Sequence, residues 1–343
     1  MSNPQQSGST TTVVQQAVSE NTDKRDVSGM LKRQLQQSLA FGTLVVLVLI
    51  FSIASPNFFT FSNIASVLLS TAVIGILALG TTFVIITGGI DLSLGTGMAL
   101  CAVMTGVFIT NMGLPIWVGV LGGIATGVLM GLVNGVNVTY LRLPPFIATL
   151  AMMMIAGGLA LVISGVAPIY FSTSAPSFKL IALGTIIPGI PNAVLVTALL
   201  AIIAFVVLSR TLLGRYTFAI GSNEEATRLS GVNTRRWTIF VYMLSGAFTG
   251  VAGIIIASRL DSAQPQIGMG YELQAIAAVI IGGTSLLGGR GSIIGTVIGA
   301  LIMSVLVNGL SILSIKTEWR DIVIGIVVLI AVFFDSLRNR QRT

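Results

Sequence analysis

The sequence predicts an all-α, polytopic membrane protein: a bundle of about ten transmembrane helices with both termini cytoplasmic. Three observations predict it. Of 343 residues, 54% are hydrophobic and only 8% charged, and the mean hydropathy is +0.97. The apolar residues fall in runs about 20 long, the length a helix needs to cross roughly 30 Å of hydrocarbon. The runs are continuous, whereas barrel strands would alternate apolar and polar residues.

Taken in order, residues 1–37 are rich in Ser, Thr, Gln and Asn and are expected to be a disordered cytoplasmic tail. The first apolar run leads into Ser55, Pro56 and Asn57 with no A-x-A cleavage site, so it reads as an uncleaved anchor and not a signal peptide. A membrane domain then covers 38–336, with a short cytoplasmic tail at 337–343. Its spans are placed at 38–55, 64–87, 93–111, 115–140, 146–166, 192–210, 238–257, 272–288, 292–313 and 319–335. Pro144 and Pro145 open the fifth, where the first helical turn tolerates proline. The segment 272–288 begins with Glu272 and ends in a Gly-rich turn, so it reads as short or re-entrant, as does the stretch around Gly88–Asp91. Eight spans with two re-entrant segments would also leave both termini inside.

Orientation follows from charge. With the N-terminus inside, only Lys179, Arg259, Lys316 and Arg320 of the 18 basic residues lie outside, as the positive-inside rule requires. The basic residues lie mostly beside helix ends, so the net charge of +7 reports topology and not nucleic-acid binding.

The fourth span carries Gly119, Gly123, Gly127, Gly131 and Gly135 at every fourth position, with shorter ladders at Gly246/Gly250 and Gly291/Gly295/Gly299. In lipid such spacing lets helix backbones approach closely.

Several chemistries are missing. There is no His, one Cys (Cys101) and no G-x-x-x-x-G-K-[ST], so zinc sites, Ser-His-Asp catalysis, disulfides and a P-loop are excluded. No metal and no cofactor is expected on this chain. All 11 acids fall in tails, loops or near span ends, so the membrane interior reads as uncharged and an ion-coupled carrier is disfavoured. Energy for transport must then enter from elsewhere.

One polar island, GRYTFAIGSNEEATRLSGVNTRRW (214–237), interrupts the apolar runs inside a loop at 211–237. Ser222 or Asn223 can cap a short helix, with Glu224 and Glu225 in its first turn, where the dipole favours acids. Glu224 and Arg228 are spaced for an i,i+4 pair, and Gly231 can end the helix.

The stretches TGGIDLSLG (87–95), GLVNGVNVTYLRLPPFIATLAM (131–152), GRYTFAIGSNEEATRLSGVN (214–233), YELQAIAAVIIGGTSLLGGRGSIIGTVIGA (271–300) and VNGL (307–310) occur in that order. Together they resemble a permease subunit of an ABC importer of the ribose/monosaccharide branch. The resemblance implies an inner-membrane permease that hydrolyses no ATP itself. Its implied partners are an ATPase subunit, an extracytoplasmic sugar-binding protein, a second permease copy and membrane lipid, with no nucleic acid. It also implies that Asn223, Glu224, Glu225, Ala226, Arg228, Leu229 and Gly231 form the helix that couples to the ATPase. A branched-chain amino acid-type permease is the alternative within the class, and an ion-coupled secondary carrier the alternative outside it.

For a neutral polyol, the uncharged polar residues within spans are candidate pathway lining: Asn134, Asn137, Gln274 and Asn308. Helix–helix hydrogen bonding is the competing role for each. Asp91 reads as the N-cap of the third span, or as a contact with the ATPase or a gate. Gly282, Gly283 and Arg290 read as a turn or gate.

Overall fold

A computed structural model describes Ser38 and residues 40–340. The expected disordered tail 1–37, with its four basic residues, and the last residues, 341–343, lie outside the described part.

Helix α1 (Ala40–Ala54) is a shorter apolar helix. It is followed by α2 (Phe61–Ile86), α3 (Leu94–Gly106, continuing as a π-helical turn to Asn111), α4 (Ile116–Thr139) and α5 (Pro145–Ser164). A connection holding strand β1 (Ile169–Tyr170) and helix α6 (Leu180–Leu183) leads to α7 (Asn192–Arg210), α8 (Leu212–Ser222), α9 (Glu224–Leu229) and α10 (Thr234–Leu260). Strand β2 (Ser262–Ala263) pairs antiparallel with β1. The chain ends with α11 (Tyr271–Ile281), α12 (Ile293–Ile312) and α13 (Thr317–Arg340).

Among the described residues, seven helices are long and apolar enough to cross a membrane: α2, α3 with its π turn, α4, α5, α7, α10 and α12. A helix lies within every predicted run, but in 272–288 it reaches only Ile281. At 11 residues, α11 is about 16 Å long, roughly half the hydrocarbon thickness.

Helix α2 is the axis of the bundle. It is buried without interruption from Thr71 to Ile86 and packs against α10, α12, α11 and α7. Its start is capped by Thr60, whose side chain accepts from the Asn63 amide. Helix α5 begins with Pro145 at its first position and ends at Gly165 in the left-handed region (φ 64°). The glycine ladders do what their spacing predicts. A β-carbon on Gly127 would collide with the Gly246 carbonyl oxygen, and one on Gly246 with that of Gly127. Helices α4 and α10 therefore meet backbone to backbone, the contact that lipid, with no hydrophobic drive of its own, requires for tight association.

Helices α3 and α11 both begin inside the bundle. Gly95, in the first turn of α3, and Gly268, just before α11, touch through bare backbone. Asp91, in the connection between α2 and α3, is 2% exposed, and the half-buried Glu272 packs its carboxylate on Gly95 while accepting from the Gly270 amide at 3.1 Å. The sequence placed both acids at span ends. Both helices begin within one residue of the predicted starts, and the packing of the bundle around those starts covers Asp91 fully and Glu272 in part.

Candidate functional site

The polar island is largely helical and not a loop. Helix α8 packs against α2, α7 and α10, with the Tyr216 ring 4.9 Å from Trp237 of α10. This firm base presents α9 beyond it. Asn223 is the N-cap, its side chain accepting from the Ala226 amide at 2.9 Å, and Glu224 and Glu225 fill the first turn. At the other end Gly231 takes φ 85°. Its amide bonds the Arg228 carbonyl at 3.0 Å, and the Val232 amide bonds that of Thr227 at 3.4 Å. That paired closure is why a glycine follows the helix by two residues.

Of the six α9 residues only Thr227 is buried. Glu224, Glu225, Ala226 and Arg228 face solvent, and Leu229 is 78% exposed. The ion pair is not the expected Glu224–Arg228. Arg228 Nη2 bonds Glu225 Oε1 at 2.8 Å, one turn position nearer. Glu224 is thereby left free of that pair, and both partners are too exposed for the pair to add much stability.

Beside α9 a cleft of about 610 Å³ runs between Arg142 and Pro144 of the α4–α5 turn, Arg235 and Tyr242 of α10, and Gly88 and Gly89 of the α2–α3 connection. Arg235, which lines the cleft, holds its guanidinium 5.6 Å from the centroid of the Tyr140 ring. Behind α9, three segments converge on bare backbone. The Gly289 amide bonds the Ile86 carbonyl at 2.8 Å, and a β-carbon on Gly221 would overlap that same carbonyl. The end of α8, the end of α2 and the turn before α12 are thus locked at one point. Sequence reading missed this junction; its only signal was a glycine in each of the three segments.

Asp91 is not the N-cap of α3; Ser93 is. Asp91 Oδ1 accepts from the Ser93 amide at 2.9 Å and from Ser93 Oγ at 2.6 Å. Asn134 Nδ2 of α4 in turn donates to Ser93 Oγ at 2.9 Å. Burial, partly offset by the Ser93 bonds, raises the Asp91 carboxyl above its ordinary value. Asp91→Asn keeps an acceptor for both Ser93 donors, whereas Asp91→Ala leaves them unsatisfied and should cost about 1–3 kcal/mol. Because the folded-state value is raised, ionisation opposes folding. Wild-type stability should be greatest below the unfolded carboxylate value and decline with rising pH until the folded-state value is passed. Asp91→Asn should remove that decline. Thermal unfolding of the three proteins across pH checks both statements.

The candidate pathway residues do not converge. Asn134 is fully buried in the Ser93 bond, with its Oδ1 unpaired. Asn137 and Gln274 are half-buried on separate helices. Asn308 lies at the end of the bundle remote from α9, in a second cleft of about 430 Å³. Gly282 caps α11 and abuts the backbone of Gly295, and Gly283 takes φ 91°. Arg290 is exposed, its carbonyl accepting from the Ser285 amide at 3.2 Å. Gly282 and Gly283 form the turn that ends α11, and Arg290 lies in the extended stretch before α12.

Residues 63–332 match the family described as "Branched-chain amino acid transport system / permease component". The ribose import permease protein RbsC of Escherichia coli (strain K12) is 43% identical over 310 residues, 90% of this chain and 96% of that protein. RbsC of Bacillus subtilis (strain 168) is 43% identical over 305 residues, covering 89% and 94%. The D-allose transport system permease protein AlsC of Escherichia coli (strain K12) is 36% identical over 302 residues, covering 88% and 91%. The family match spans the bundle from α2 through most of α13, the same frame that holds the exposed helix and the glycine junction. The chain belongs to the branched-chain amino acid transport system / permease component family of multi-pass bacterial inner-membrane proteins.

Proposed function

We propose that the chain is the permease subunit of an ATP-driven importer for a monosaccharide, a ribose-like sugar or related polyol. Two copies form the pathway, a separate ATPase engages α9 from the cytoplasm, and an extracytoplasmic binding protein delivers the sugar. Ten spans with both termini cytoplasmic put α9 on the ATPase side, a reading supported by the distribution of Lys and Arg.

The observation that carries the proposal is α9 itself: capped at both ends, braced from behind, and turning an exposed Leu229 outward. Burying a leucine in a partner's groove contributes about 1.5–3 kcal/mol, and the exposed Glu224 at the other end of α9 supplies charge specificity. Glu224→Arg with Leu229→Asp should abolish ATP-driven uptake and ATPase capture while the permease stays folded in the membrane. Retained transport, or unchanged capture in pull-down, would count against docking at α9.

The family description favours a second substrate class, branched-chain amino acids. The relatives named for ribose and D-allose support the sugar. Saturation of the reconstituted importer by leucine and by no sugar would reverse that choice.

A further inference from the structure

The second cleft lies at the end of the bundle away from α9, among the first turns of α2, the last turns of α10 and α12, and the start of α13. It holds two guanidinium groups, and among the described residues no acid lines it. Arg259 Nη1 reaches Ser70 Oγ at 3.3 Å. Arg320 Nη2 bonds Thr317 Oγ1 at 2.6 Å, but its Nε is buried with no partner. Asn308 Oδ1, also facing the cleft, is buried and unpaired. Glu318 and Asp321 flank Arg320 in sequence yet stand outside the lining.

Two cations, an orphaned donor and an orphaned acceptor in one cleft call for a ligand that is anionic and carries hydroxyl groups. The surroundings narrow its class. Phe61 is 70% exposed and Trp319 62% exposed, at the starts of α2 and α13, the helices that wall the cleft. Exposed aromatics at helix ends are the signature of the membrane–water boundary. Beyond Trp319, α13 turns Ile322 and Ile326 outward. A polar, cationic recess thus opens beside a lipid-facing apolar wall.

We propose that this cleft binds the headgroup of an anionic, hydroxyl-bearing phospholipid. The phosphate would lie between Arg259 and Arg320, a headgroup hydroxyl would donate to Asn308 Oδ1, and the acyl chains would run along α13. The inference requires only a membrane-embedded chain and stands apart from the sugar and ATPase assignments.

The test compares the purified permease in bilayer discs of dioleoylphosphatidylglycerol with discs of dioleoylphosphatidylcholine. Lipid retention is read by native mass spectrometry and stability by thermal unfolding. Phosphatidylglycerol should be retained and should raise the unfolding midpoint by several degrees, and Arg259→Gln with Arg320→Gln should erase both effects. Ser311→Trp fills the cleft without removing a charge and should give the same loss if the double variant does not fold. Equal midpoints in the two lipids would overturn the proposal. So would an equal effect from glycerol 3-phosphate or inorganic phosphate added to phosphatidylcholine discs, which would show a free-anion site. Arginine variants that keep the lipid effect but lose capture of the binding protein would overturn it too, assigning the cleft to that partner.

Discussion

ATP-driven uptake by the assembled importer should fall roughly 5- to 150-fold in Gly221→Ala, the range that loss of a typical inter-site coupling free energy would give. The added methyl would occupy the space of the Ile86 carbonyl oxygen, which also holds the Gly289 amide at 2.8 Å. Neither neighbour can yield by rotating a side chain, because both are backbone. The end of α8 must then lift away from α2 and from the turn leading to α12. If a displacement imposed on α9 passes into α2 and the turn before α12 through that junction, the variant should still capture the ATPase and still permit ATP hydrolysis while moving little sugar. Uptake, capture and ATPase activity measured on one preparation separate this from a folding defect. Normal uptake in the alanine variant would show that motion enters by another route.

The largest stability effect is expected at the crossing of α4 and α10. Gly127→Val should destabilise the permease by about 3 kcal/mol or more, the upper end of overpacking costs. Its β-carbon would strike the Gly246 carbonyl, and Gly246→Val should cost a similar amount by the reciprocal collision. The double variant should cost less than the sum, because helices already forced apart by one side chain leave room for the second. Gly158→Ala on α5, where a β-carbon meets nothing within 4 Å, should be neutral or stabilising by up to about 1 kcal/mol. Thermal unfolding of the four proteins checks the set. Independent, additive losses at positions 127 and 246 would mean that the two glycines do not share one contact.

The spans were legible because continuous apolar runs have few alternatives in lipid. The exposed helix was legible because Asn223 and Gly231 are strong local signals that need no tertiary help. Helix α8 was not: Gly214 and Gly221, and the polar residues between them, read as loop, and only packing on α2 and α10 makes the segment helical. The burial of Asp91 and the partial burial of Glu272 were not legible either. Hydropathy measures the length of an apolar run, not the depth at which a helix begins. The choice of Glu225 over Glu224 as the partner of Arg228 turns on side-chain rotamers, since both spacings lie on one helix face. The two-residue strands β1 and β2 are too short to show any alternation.

At three close approaches in the bundle, Gly127 with Gly246, Gly95 with Gly268 and Gly282 with Gly295, glycine backbone meets glycine backbone. A contact between leucines freezes rotamers each time it forms, at roughly 0.5–1 kcal/mol per side chain, whereas glycine has none to freeze. Helices that part and rejoin at these crossings would therefore incur no recurring side-chain entropy cost. Repeated turnover would leave the free energy of ATP to the sugar rather than to re-ordering the bundle.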